Sequence, residues 1–72
     1  MKVFISSKEL EILRKSAEGQ TVQQIAHDLN VSEQIISKSQ KEILLRTGAG
    51  NLMTALQSIA KRGFVLTEER IA

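Results

Sequence analysis

The chain contains no cysteine, no proline, no tryptophan and no tyrosine. Without cysteine, neither a disulfide nor a thiolate metal site can reinforce it. His27 is the one histidine, and a lone imidazole neither completes a metal site nor supplies a nucleophile–base arrangement. No metal, no cofactor and no catalytic residue is therefore expected, and the domain is not read as an enzyme. Phe4 and Phe64 are the two aromatic residues, so a core must be built from Leu, Ile, Val and Ala. No run approaches the ~20 apolar residues that span a bilayer. The short apolar lead ending at Ile5 meets Ser6, Ser7 and Lys8 at once, unlike a signal peptide. A cytoplasmic protein without membrane contact is expected. Charge of either sign is also scarce in excess: ten Lys and Arg against eight Asp and Glu leave +2. Nucleic-acid binding then depends on where the charges sit.

What is present points to one small helical domain over residues 1–72, with a core at about 5–65 and a tail over 66–72. Absent proline and four glycines placed at breaks favour an all-α fold. The first helix is predicted over Ser7 to Ala17. Ser6 with Glu9 reads as a capping box, and Ile5 with Leu10 as a hydrophobic staple. Leu10, Leu13 and Ala17 recur at helical spacing beside Ile12, and Gly19 stops the helix. Thr21 with Gln24 caps a second helix, whose apolar side is Val22, Ile25, Ala26 and Leu29. Asn30 tolerates a left-handed turn, and Val31 plugs that turn into the core. Ser32 caps a third helix over about 32–47. Gly48 and Gly50 break it, Asn51 caps a fourth helix that runs to Arg62, and Gly63 ends that one. Phe64, Val65 and Leu66 are expected to fold back on the core, with Thr67 to Ala72 frayed or weakly helical.

Two apolar-faced helices joined by a tight break are what a helix-turn-helix requires. On a 3.6-residue wheel Ile36, Gln40, Ile43 and Thr47 share one side of the third helix, and Gln34, Ser37, Lys38, Lys41 and Leu45 the other. That division suits a helix lying in a DNA major groove, where Lys donates to guanine O6 or N7 and Gln pairs with adenine. Gln20, Thr21 and Gln23, at the free amides opening the second helix, are candidates for holding a phosphate. Capping explains Thr21 equally well. Arg46 either touches a phosphate or complements the negative end of its own helix. Met53, Leu56 and Ala60 form an apolar stripe on the fourth helix, beside the core-facing Leu52, Ala55 and Ile59; it is a slightly apolar surface, extra core or a homodimer seam. His27 reads as a surface residue. Glu9 and Glu11 are explained by capping and a surface ion pair, Glu68 and Glu69 by a solvated tail. Gly48 and Gly50 follow no strand, so they end a helix rather than cradle a phosphate.

The pattern resembles the LuxR-type (GerE-like) helix-turn-helix of bacterial transcriptional regulators. The residues that carry the likeness are Ile5-Ser6, Glu9, Glu11-Ile12-Leu13, Ala17-Glu18-Gly19, Thr21, Ile25-Ala26, Leu29, Val31-Ser32, Ile36, Ile43, Gly48, Asn51, Ala55 and Arg62-Gly63. Together they cover about residues 5 to 65. The resemblance implies a four-helix domain with the second helix as scaffold, the third in the major groove and the fourth at a dimer contact. It implies base contacts from Ser37, Lys38 and Lys41. The partners it implies are double-stranded DNA, a second copy of the chain and RNA polymerase; no small-molecule ligand is evident. The chain departs from the family where Ile35 replaces a usual Thr, Ser37 a Lys, Ser39 a His, Glu42 an Asn, Thr47 a Leu, and Gln23-Gln24 a Lys-Glu pair. These changes remove positive charge from the reading helix and set an acid beside Lys41. Two alternatives share the pattern: a protein-interaction module of the same fold, and a domain like region four of a sigma factor.

Overall fold

The computed structural model describes residues 2–70, with side chains through Glu68. Strand β1 (Val3–Ile5) leads into α1 (Ser7–Ala17), α2 (Val22–Leu29), α3 (Glu33–Thr47) and α4 (Leu52–Arg62); strand β2 (Phe64–Leu66) and a 3-10 turn over Thr67–Arg70 follow. Each helix begins where a side chain takes an orphan amide. Ser6 Oγ accepts from Glu9 N at 3.0 Å while Glu9 Oε1 accepts from Ser6 N at 2.9 Å. Thr21 and Gln24 repeat the device at 3.1 and 2.9 Å. Ser32 Oγ accepts from Ile35 N and Asn51 Oδ1 from Thr54 N. At the other ends, Asn30 adopts φ 56° and ψ 47°, and the next amide, Val31 N, donates to Ala26 O at 3.0 Å. That left-handed residue is what folds α3 back across α2.

The four helices lie close to the boundaries their caps and breaks predict. The apolar ends of the chain add a feature not anticipated: β1 and β2 form a two-stranded parallel sheet, with Val3 opposite Phe64, Phe4 opposite Val65 and Ile5 opposite Leu66. Val-Phe-Ile and Phe-Val-Leu are β-branched and aromatic runs, but three residues are too short for their period to be read. The segment 64–66 does return to the core as expected, in strand form. The tail then ties back: Glu68 Oε1 accepts from Ser7 N at 2.9 Å. Residues 71 and 72 of the expected tail lie outside the described residues.

The core has two parts. One joins Val3, Ile5, Leu13, Ile43, Ala55 and Ile59. The other joins Ile12, Ile25, Ala26 and Ile36. Helix α3 belongs to both, through Ile36 in its first half and Ile43 in its second. Thr47 is the buried polar side chain of this helix. Its hydroxyl donates to Ile43 O at 2.9 Å and accepts from Ala49 N at 3.4 Å, so a polar group fits a position that usually holds Leu without an unmet hydrogen bond. Among the described residues, no helix is long and apolar enough to cross a membrane.

Candidate nucleic-acid interface

The geometry of the site follows from how α3 is fixed. Ile36 and Ile43 are 0% and 1% exposed, which turns the opposite side of the helix outward. Gln34, Ser37, Lys38 and Lys41 all stand exposed on that side. Among the described residues no carboxylate lies within ion-pairing distance of Lys38 or Lys41. Glu42, the acid next to Lys41, is drawn instead toward Arg46, at 3.8 Å. Both lysines thus keep their charge available on the face where the sequence sets them.

Polar bonds fix the flank of the helix. Gln40 Nε2 donates to Ser16 Oγ at 2.9 Å, and that hydroxyl donates to Ile12 O at 2.7 Å. The chain of bonds joins α3 to α1 beside the core. No motif marks the Ser16–Gln40 pair; the one sequence-level signal is a polar Gln40 on the inward side of the wheel.

Arg46 is engaged within the domain. Its guanidinium meets Glu9 with two parallel bonds, Nη1 to Oε1 at 2.9 Å and Nη2 to Oε2 at 3.0 Å, and Nη1 also donates to Phe4 O at 3.1 Å. The fork has its two parallel bonds taken up by Glu9. It clamps the end of α3 to α1 and β1. The Arg46 hydrogen bonds hold the Glu9 carboxyl below its usual range, against partial burial and with help from the Ser6 amide. Glu9 in turn raises the pKa of Arg46.

The other expected contacts fall in two places. At the start of α2, Thr21 and Gln23 are exposed, whereas Gln20 is half-buried. Gln20 Oε1 is buried with no partner among the described residues. The Thr21 hydroxyl accepts from Gln24 as a cap and retains its own proton for donation. The amides of Val22 and Gln23, in the first turn, have no carbonyl within the helix to bond. Gln20, Gln23, Gln24, His27 and Asp28 line an open cleft of about 450 Å³. Among the described residues no group of three or more His, Asp or Glu could hold a metal ion. On α4, Met53 is 50% exposed and Ala60 is exposed. Leu56 departs from the expected stripe: it is half-buried and packs against the larger core cluster, because its place on the wheel borders Leu52 and Ile59.

A sequence model of bacterial regulatory proteins of the luxR family matches residues 3–59, most of the chain. The chain belongs to the LuxR family. The domain that defines this family is a DNA-binding helix-turn-helix of regulatory proteins, not an enzyme, and the match replaces the sigma-factor alternative. It begins at β1 and ends within α4, so β2 and the 3-10 turn lie beyond it. Comparison with curated proteins and comparison with solved structures give no match.

Proposed function

We propose that this LuxR-family domain binds duplex DNA sequence-specifically as part of a bacterial transcriptional regulator, with α3 seated in the major groove. One observation carries the reading: Gln34, Ser37, Lys38 and Lys41 stand exposed on α3 opposite the buried Ile36 and Ile43. In this reading Lys38 and Lys41 address guanine edges, Gln34 an adenine, and Ser37 whichever base lies beside them. Thr21, Gln23 and the first-turn amides of α2 hold a phosphate, with Gln20 at the edge of that contact. Arg46 sets the position of α3 and leaves the phosphate contact to others. The exposed part of α4, at Met53 and Ala60, forms the homodimer seam, which pairs two reading helices on a palindromic site. The regulator works in the cytoplasm, where the chromosome is, and recruits or blocks RNA polymerase.

Selection of duplexes from a random pool, followed by affinity at two salt concentrations, tests this. The expected outcome is a two-fold symmetric site whose affinity falls with salt, log K changing by about −0.9 per phosphate contact for each unit of log salt. Enrichment of no sequence, or a flat salt response, contradicts it. Ile35, 47% exposed where the family usually has Thr, favours a second reading: the same face docks on a protein. That reading expects salt-insensitive association with a polypeptide and no selected duplex.

A further inference from the structure

Leu45 is 83% exposed, whereas the other exposed large apolar side chains, Phe4, Ile35, Met53 and Phe64, reach 50% at most. Single exposed leucines are ordinary on protein surfaces; what sets this one apart is where it points. Four residues beyond Lys41, seven beyond Lys38 and eleven beyond Gln34, it continues the outward stripe of α3 on a 3.6-residue wheel. Of its neighbours toward the buried side, Glu42 is paired with Arg46 and Arg46 with Glu9, so the leucine stands beyond the clamp.

We propose that Leu45 extends the base-reading face and packs on the C5-methyl group of a thymine, one step past the bases that Lys41 addresses. The inference rests on the DNA-binding reading above. Leu45 lies about 6 Å along the axis from Lys41 at 1.5 Å per residue, under two base-pair steps at roughly 3.4 Å each. A thymine methyl is the one apolar group that the major groove displays. The surroundings favour DNA over a protein partner: the leucine shares its stripe with two lysines and a glutamine, and the buried centres of protein interfaces are depleted in lysine.

The test uses the full chain and a duplex enriched from a random pool, prepared once with thymine and once with deoxyuridine at each position in turn. Deoxyuridine keeps the hydrogen-bonding edge and removes the methyl. The expected result is a roughly threefold to fivefold loss of affinity at one outer position of each half-site, the scale of one methyl withdrawn from apolar contact. Leu45→Ala, checked for an unchanged melt, loses the same affinity on the thymine duplex and no longer distinguishes the two bases. Equal discrimination by wild type and Leu45→Ala overturns the proposal, as does a selected site with no thymine at its outer edge. Lost self-association in Leu45→Ala with discrimination intact overturns it in favour of a protein contact. If the wild-type chain enriches no duplex at all, the DNA-binding reading itself fails; a selected duplex indifferent to deoxyuridine sinks this inference alone.

Discussion

The two halves of α3 are built for different tasks. The first half touches the rest of the domain through Ile36 and the Gln40–Ser16 bond, and among the described residues Lys38 on its outward side, like Lys41 just past the midpoint, has no ion-pair partner. The second half is fastened on several sides: Ile43 in the larger core cluster, the buried Thr47 with its hydroxyl donating to Ile43 O, and Arg46 forked onto Glu9 and tied to Phe4 O. One helix thus combines an exposed outward stripe, proposed above to read DNA, with an anchored inward side that is held most firmly at its second half. The contrast teaches that basic side chains of the same helix are not equivalent. Position relative to the buried stripe decides which one stays exposed and which one holds the fold.

The contrast is broken most severely by emptying the anchored end. Ile43→Ala removes a fully buried side chain and is expected to cost about 2–5 kcal/mol, read by urea denaturation. A loss under about 1 kcal/mol would mean that the site collapses around the gap rather than resting on it. Glu9→Ala removes both the capping partner of Ser6 and the Arg46 fork, and is expected to cost about 1–2 kcal/mol. Arg46→Ala is expected to weaken stability and to weaken DNA binding only as far as α3 loses its place. A change in the salt slope of binding for Arg46→Ala under conditions where it is fully folded would return this residue to the phosphates.

Acid sharpens the same comparison. Glu9 titrates below its usual range in the folded domain because the Arg46 hydrogen bonds favour the charged carboxylate. The folded state therefore releases this proton more readily than the unfolded chain. Its stabilisation is complete above the unfolded value of about 4.3 and is lost as pH falls through the lower folded value. Glu68, held low by the Ser7 amide, works in the same direction. Thermal melts of Glu9→Gln are expected to fall less steeply than wild type below about pH 4.5, with Glu68 contributing to the remaining slope. Parallel curves would remove the Glu9 fork from the account. The smallest effect on stability is expected on the exposed outward stripe. Lys38→Ala with Lys41→Ala should change the unfolding free energy by no more than about 0.5 kcal/mol and abolish specific binding in a gel shift.

Much of this arrangement is legible in the sequence because helix ends carry local chemistry. Ser6-Glu9, Thr21-Gln24, Ser32 and Asn51 mark starts within a few residues of where they act, and Asn30, Gly48 and Gly63 mark stops. The periodic isoleucines orient α3, which places the lysines outward. What escaped depends on contacts between distant residues. Phe4 and Val65 become sheet partners only when the helices bring both ends of the chain together, and three-residue strands leave no period to read. Arg46 looks like any basic residue near a helix end, because Glu9 is 37 positions away in sequence. Leu56 and Met53 belong to one stripe by spacing, and only the packing of α4 separates a core residue from an exposed one.

The most direct test is a residue-resolved titration of the labelled chain with its selected duplex, followed by NMR. Amide and side-chain shifts should concentrate at Gln34, Ser37, Lys38 and Lys41, with a second group at Thr21 and Gln23, while Glu9, Arg46 and Thr47 move little. Shifts centred on the far side of the domain, with the α3 lysines unmoved, would contradict the account.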